Sequence, residues 1–228
     1  MALFKGSDQI IHVFKGTQPI KEIYKGNVLV WQNTNPPQIT RFTVTPTTID
    51  LDNPTPANVT IEFVVAAGTT DAQVYLVPQG TKVGVQYSSL NAGNTATFTA
   101  PRPTQDQTYR VVANNSGGAS HLDATVLVTQ NPALSNLAAA GLSTGQGFPG
   151  GANIRITGKV VGYPRPSISI DQGWRSPLTD RHFTPVAGEV NAWTFTTNHV
   201  YITSGRRAFV VTATNSSGTV TGNVVFNA

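Results

Sequence analysis

The chain has 228 residues, an 11% share of charged residues, a formal net charge of +4 and no cysteine. The length suits about two domains, and the absence of cysteine excludes disulfides, thiolate nucleophiles and cysteine zinc sites. Lys5 and Asp8 interrupt the apolar core that a signal peptide needs, and no apolar run approaches the roughly 20 residues of a membrane span, so we expect a chain that folds in a cytoplasm.

The composition is that of an all-β protein. Charged residues fall well below the usual share of about 25%, and Thr, Val, Asn and Ser are frequent beside 21 glycines and 15 prolines. β-Branched side chains favour pleated strands, whereas Gly, Pro and Asn favour the turns between strands. No segment sustains the apolar period of about 3.6 residues that indicates a helix, so we predict strands throughout.

A ten-residue repeat begins the chain: LFKGSDQIIH, VFKGTQPIKE and IYKGNVLVWQ share an aromatic residue followed by Lys-Gly. Gly supplies the positive φ that a tight hairpin turn needs. We therefore predict turns at the three Lys-Gly pairs and an antiparallel, three-stranded β-meander. Its strands would be Gln9–Phe14, Pro19–Tyr24 and Val28–Trp31.

Residues 1–32 need support from outside, since chains below about 40 residues rarely fold alone. Alternation along the strands places apolar residues on both faces of the meander, so we expect one cover from the following domain and another from a second chain. The candidate docking residues are the aromatics Phe4, Phe14, Tyr24 and Trp31. Self-association, with a trimer as one form, and packing on the following domain alone are the alternatives.

The stretch VFKGTQPIKEIYKGNVLVW resembles the short N-terminal repeats of tailed-phage virion proteins. Those repeats carry an aromatic residue before a Lys-Gly or Leu-Gly turn and often end on Val-Trp or Val-Tyr. The resemblance implies that residues 1–32 are an attachment segment. It also implies that the partners are other virion proteins, in a particle assembled in a host cytoplasm.

Two Pro-containing joints, Asn33–Gln38 and Gln130–Ser135, divide the rest of the chain into predicted domains at 33–130 and 131–228. Two internal matches lie 100 and 95 residues apart, and such spacing indicates a duplicated domain. The matched segments are Tyr109–Gly118 with Phe209–Gly218, and Ala57–Ile61 with Ala152–Ile156.

The first match resembles the F-strand motif of intermediate-set immunoglobulin domains, Tyr-x-Cys-x-Ala-x-Asn-x-x-Gly, and ITGKVVGYPRPSISI resembles their B–C region. The resemblance implies two tandem immunoglobulin-like β-sandwiches. It places Gly158 and Val211 where the family has its two cysteines, and Ile170 where it has its core Trp. Cysteines introduced at 158 and 211 are therefore expected to form a disulfide. The motif is filled by Tyr109, Val111, Ala113, Asn115 and Gly118, and again by Phe209, Val211, Ala213, Asn215 and Gly218.

Two glycine-rich motifs match the sequence patterns of a catalytic site and a cofactor-binding site. GLSTG (Gly141–Gly145) matches the nucleophile elbow of esterases, and GQGFPG (Gly145–Gly150) matches a dinucleotide fingerprint. Both chemistries require a helix after the motif, whereas ANIRITG predicts a strand. We therefore interpret residues 141–150 as a loop.

Metal and acid–base chemistry have weak support in the sequence. His12, His121, His182 and His199 lack the short spacing of zinc ligands. The adjacent carboxylates in IDLDNPTP, those of Asp50 and Asp52, are too few for calcium, and we interpret them as a turn with Asx hydrogen bonds. We expect no enzyme, no metal and no cofactor.

Charge is unevenly distributed: residues 1–32 carry +2, residues 33–130 carry −2 and residues 131–228 carry +4. The loop DQGWRSPLTDRHF in the basic segment contains Trp174, Arg175 and Arg181, the residue types that anchor binding surfaces. We expect these three to form a candidate surface for lipopolysaccharide phosphates, an acidic host glycan or a neighbouring subunit. A solvated loop is the alternative, and without a dense basic stripe nucleic acid is not expected.

The leading hypothesis is a non-enzymatic virion structural protein of a tailed phage, displaying two immunoglobulin-like domains as a tail fibre, baseplate or tail-tip component. Capsid decoration, as a cement or head-fibre protein, is the first alternative. A bacterial carbohydrate-binding adhesin module is the second. A glycan-active enzyme would need a catalytic domain that we do not find in the sequence.

Overall fold

The computed structural model describes residues 3–5, 8–10, 13–15, 18–20, 22–25, 28–32, 35–53, 55, 58–88, 95–142, 152–173, 178, 181–197, 200–202 and 206–227. All secondary-structure elements among the described residues are β-strands, so the all-β prediction is confirmed. The described part of the chain contains no helix that could span a membrane. The chain divides into two compact units: unit 1 is Met1–Thr48 with Pro56–Leu127, and unit 2 is Ile49–Thr55 with Val128–Ala228.

The described residues of the N-terminal repeat form three antiparallel hairpins, and the first strand of each ends at the lysine of a Lys-Gly pair. The predicted turn glycines Gly6, Gly16 and Gly26 lie outside the described residues. The prediction of one three-stranded meander is wrong for the described residues, because every pairing among them lies within one hairpin. Ten residues suffice for a short strand, a turn, a second short strand and a connection. Pro19 has no N–H for a second neighbour, so its strand suits an edge. The hairpins are β1 (Leu3–Lys5) with β2 (Asp8–Ile10), β3 (Val13–Lys15) with β4 (Gln18–Ile20), and β5 (Glu22–Lys25) with β6 (Val28–Gln32).

Beyond the N-terminal hairpins, the described residues of unit 1 form two sheets. One has the order β12-β9-β7, and the other has the order β11-β10-β13-β14, with β8 also paired to β14. Strand β14 belongs to unit 1 as far as Leu127 and to unit 2 from Val128. The strands are β7 (Ile39–Thr45), β8 (Thr48–Asp50, in unit 2 from Ile49), β9 (Val59–Val65), β10 (Asp71–Val77), β11 (Lys82–Ser88), β12 (Thr95–Ala100), β13 (Gln107–Asn115) and β14 (Gly118–Leu142).

Unit 2 has a four-stranded sheet in the order β14-β15-β18-β17, with β19 also paired to β15, and a three-stranded sheet in the order β16-β20-β21. This arrangement matches the constant-type immunoglobulin sandwich. The units differ in one strand: β11 joins the sheet of β10 in unit 1, whereas β17 joins the other sheet in unit 2. The strands are β15 (Ala152–Tyr163), β16 (Ser167–Asp171), β17 (Arg181–Pro185), β18 (Ala192–Thr197), β19 (Val200–Ile202), β20 (Arg206–Asn215) and β21 (Gly218–Asn227).

The core of unit 2 follows the predicted alternation of β15. Ile154, Ile156 and Gly158 are buried on one face of the strand, so the register read from the sequence is confirmed. Ile170 and Val211, the other two positions singled out by the immunoglobulin resemblance, have no exposed surface and lie opposite each other on β16 and β20. Apolar packing around these residues holds the two sheets of unit 2 together.

The duplicated motif forms the same hairpin in each unit. Strands β13 and β14 pair as far as Asn115 opposite Gly118, and β20 and β21 pair as far as Asn215 opposite Gly218. The Asn115 amide donates to the carbonyl of Asn35, 2.9 Å away. The Asn215 amide donates to the carbonyl of Gln130, also 2.9 Å away. Each asparagine therefore ties its turn to a preceding segment of its own unit.

Candidate functional site

The four aromatic docking candidates lie in the N-terminal hairpins. Backbone register places Phe4 opposite Gln9, Phe14 opposite Pro19 and Tyr24 opposite Leu29. The first three aromatics therefore occupy the same position in each hairpin, one residue before the lysine that ends the first strand. Trp31 lies in β6, opposite Ile23.

The candidate surface of the basic loop is only partly described, because Trp174 and Arg175 lie outside the described residues. Arg181 opens strand β17, and its Nη2 donates to the carbonyl of Leu178. The Leu178 N–H donates in turn to the carbonyl of Ile170 over 2.9 Å, which makes an isolated bridge to β16. The structure thus holds Arg181 beside the edge of the three-stranded sheet.

A cleft lies between the edge strands β16 and β17, and we call it the edge cleft. Its volume is about 240 Å³, and it brings Arg181 together with Arg165, which the sequence analysis did not select. The guanidinium carbon of Arg165 lies 4.9 Å from the ring centroid of Phe183, a cation–π contact. The lining residues are Arg165, Pro166, Ser167, Ile168, Arg181 and Phe183.

The loop that carries Arg165 is fixed by its neighbours. Gly162 has a φ of 148°, and a Cβ there would lie 2.8 Å from Cγ of Pro166, so both conformation and space require glycine. The Asn215 amide donates to the carbonyl of Pro164 over 2.9 Å. In the sequence, the only hint of this arrangement is the pair of prolines flanking Arg165 in YPRP.

The charge of unit 2 is smaller than the sequence division implied. Asp50 and Asp52 belong to unit 2, which lowers its formal charge by two relative to residues 131–228. Asp50 Oδ1 accepts from the Asp52 N–H at 3.0 Å, so the predicted Asx turn is confirmed. Asp52 Oδ2 also accepts from the Asn131 N–H at 2.6 Å. Among the described residues, no cluster of three or more His, Cys, Asp or Glu residues is placed to hold a metal ion.

A second cleft, of about 300 Å³, lies in unit 1 between the start of β7 and strand β14. Among the described residues that line it, His121 alone is ionisable, and Ser120 Oγ donates to the carbonyl of Pro37. With a single titratable group, this cleft offers less recognition chemistry than the edge cleft.

Most of the two glycine-rich motifs, residues 143–150, lies outside the described residues. Gly141 lies in β14, and β15 starts at Ala152. The strand predicted for ANIRITG is confirmed, whereas Gly141 and Leu142, which we interpreted as part of the loop, are the last residues of β14.

No protein-family model matches the chain, and no curated protein matches it. The titin fragment Titin-A168169 is 17% identical, with a TM-score of 0.52, and the match covers 84% of this chain and 97% of that one. The titin Ig tandem domains A164-A165 are 16% identical, with a TM-score of 0.47, and the match covers 83% and 95% of the two chains. The first likeness agrees with the described sheets, and the prediction of tandem immunoglobulin-like sandwiches is confirmed.

Proposed function

We propose that the protein is a non-enzymatic structural component of a tailed-phage virion, attached through residues 1–32 and displaying two immunoglobulin-like units. The tail fibre, baseplate or tail tip is the proposed location, and other virion proteins are the proposed partners. One observation carries the proposal: the repeat folds into three hairpins that share the register of the aromatic pair and of the lysine pair, while the third hairpin adds a register shift at Ile23.

An isolated two-stranded hairpin is marginally stable in water. Each described N-terminal strand pairs only within its own hairpin, so the hairpins do not support one another through a shared sheet. An external surface is the natural source of the missing stability. Three equivalent hairpins then suit a partner that offers the same acceptor groove three times, as closed symmetric oligomers do.

The test compares the full chain with a variant lacking residues 1–32, each supplied during phage assembly. We expect the truncated protein to fold, because both sandwiches are intact, and to be absent from purified particles. Truncated protein at full copy number in the particle would contradict the proposal. Mass-spectrometric counting of the full chain separates the locations: tens of copies per particle support the tail, whereas hundreds support capsid decoration.

A further inference from the structure

We propose that the edge cleft of unit 2 binds an acidic saccharide through a carboxylate or phosphate group carried on a single sugar. This site is separate from the attachment function of residues 1–32. Two guanidinium groups line the cleft, and none of the described residues that line it is acidic. Arginine presents donors in a planar fork that matches the two oxygens of a carboxylate or phosphate.

The two arginines are held in place before any ligand arrives. Arg181 is half-buried and donates to the Leu178 carbonyl, which is itself bridged to β16. Arg165 is exposed, but its guanidinium lies over the ring of Phe183. A side chain that is already ordered loses less freedom on binding, so both groups favour anion capture.

Size points to one charged sugar. The volume of about 240 Å³ is below the range of about 300–1,000 Å³ for sites of larger organic ligands. Arg165 and Ser167 are exposed, so a ligand reaches their polar atoms from solvent. The Ser167 hydroxyl donates to the Thr214 carbonyl over 3.1 Å and keeps its oxygen lone pairs as acceptors for a sugar hydroxyl.

The same edge does not suit a peptide. Peptides add to a sheet by forming a continuous ladder along a free strand edge. The backbone N–H of Leu178 already donates to the backbone carbonyl of Ile170. This hydrogen bond leaves only Ser167–Ser169 of the β16 edge for an added strand. This stretch is too short for a specific added strand, since strands in proteins are usually about 5–6 residues long.

The test titrates the full-length protein with glucuronic acid, glucose 6-phosphate, glucose and inorganic phosphate, and follows binding by NMR chemical shifts. We expect at least one acidic sugar to bind and shift resonances of the lining residues, whereas glucose does not. Binding should weaken at high salt, because exposed charges are screened over about 8 Å at physiological ionic strength. The better of the two acidic sugars identifies the preferred anion.

Variants separate the cleft from general charge. Arg165→Gln should weaken binding of the better sugar by about ten- to a hundredfold, the range for losing a hydrogen bond between charged groups. Phe183→Leu should weaken it less, by releasing the Arg165 side chain. Arg206→Gln removes the same charge from an exposed residue at the start of β20, outside the cleft, and should leave binding unchanged.

Several outcomes would overturn the proposal. They are glucose binding as tightly as the acidic sugars, no binding by either acidic sugar, and equal weakening by Arg165→Gln and Arg206→Gln. Inorganic phosphate that binds as tightly as the acidic sugars would also overturn it, because the site would then recognise the anion and not the sugar. A short Glu-rich peptide that binds more tightly than either sugar would favour a protein partner and also overturn the assignment.

Discussion

Gly158 on β15 lies directly opposite Phe195 on β18, and the aromatic ring fills the space that a side chain at 158 would occupy. A Cβ at this position would lie 2.6 Å from Cε1 and Cζ of Phe195. The corresponding pair in unit 1 is reversed: buried Phe63 lies opposite buried Ala96. Each sandwich thus places one phenylalanine at this site, from β9 in unit 1 and from β18 in unit 2. In unit 2 the site includes residue 158, where the immunoglobulin resemblance places a cysteine.

The Gly158–Phe195 contact predicts that Gly158→Ala destabilises unit 2 by about 1–3 kcal/mol, the usual cost of overpacking a core. Urea unfolding measures the loss. Phe195→Leu alone should also destabilise the unit, but the double variant should lose less than the sum of the two, because Leu makes room for the new methyl group. Strictly additive losses would show that the two side chains do not share this space.

The same contact changes the expectation for an engineered disulfide. Cysteines at 158 and 211 keep the predicted register, since both positions face the core, but Phe195 and Leu137 occupy the space around residue 158. We expect the bridge to form readily only when Phe195→Ala is added, provided the Cα atoms lie within about 7 Å. Thiol titration under oxidising conditions counts the free cysteines. Full oxidation with Phe195 present would contradict this expectation.

Asn215 uses all the hydrogen-bonding capacity of its side chain. Its amide donates to the carbonyls of Gln130 and Pro164, and its Oδ1 accepts from the N–H groups of Ser217 and Gly218. Asn215→Ala should therefore destabilise unit 2 by about 2–4 kcal/mol, since several partners lose their bonds at once. Asn215→Asp should also destabilise it, despite the matched shape, because a carboxylate cannot donate.

The matched control for Asn215 is Asn115→Ala. Asn115 donates to the Asn35 carbonyl and accepts from the Gly117 N–H, and we expect a smaller loss, confined to unit 1. Thermal unfolding of the full chain reports both effects. An equal or larger loss for Asn115→Ala would show that the count of hydrogen bonds does not set the cost.

The burial of Tyr109 predicts that the folded state loses stability in alkaline solution. Burial raises the pKa of its phenol above the ordinary value, because the charged form is poorly solvated inside the protein. The unfolded state therefore ionises first. The contribution of Tyr109 to stability is intact below about pH 10, the ordinary pKa of tyrosine, and is lost as the pH rises through the folded pKa.

Phe209 occupies the matching position in unit 2 and is also fully buried, so Tyr109→Phe is a suitable test variant. Urea unfolding at increasing pH should show a smaller alkaline loss for Tyr109→Phe than for the parent chain. An identical pH profile for the two proteins would assign the loss to the other tyrosines.

Local sequence signals predicted the core but not the pairing of neighbouring strands. The alternation of Ile154, Ile156 and Gly158 specifies which face is buried, since a shift by one residue would expose all three. Whether β11 or β17 joins one sheet or the other is a choice between two nearby edges, and no short motif encodes it. The edge cleft was missed for the same reason, because Arg165 and Arg181 meet only through the fold.

The N-terminal hairpins show this limit from another side. The positive φ of a tight turn is a local requirement, and for this reason the sequence predicts turns at Gly6, Gly16 and Gly26. These glycines lie outside the described residues, but the first strand of each hairpin ends at the lysine before one of them. The partner of each strand is not a local property. Strands of three to five residues carry too few side chains to choose between a neighbour earlier and a neighbour later in the chain, so the sequence predicted one shared sheet.

The three hairpins predict stepwise loss of attachment. If each docks in an equivalent groove, replacing one of Phe4, Phe14 and Tyr24 by Ala should reduce the occupancy of the protein on particles in part. The triple replacement should abolish it, because linked weak contacts combine into a strong one. Quantitative mass spectrometry of purified particles measures the occupancy. Lys5→Gln, Lys15→Gln and Lys25→Gln together form the control, since they change neighbouring residues and leave the aromatics in place. Complete loss from one aromatic replacement, with no effect from the other two, would instead indicate a single docking hairpin and two spacers.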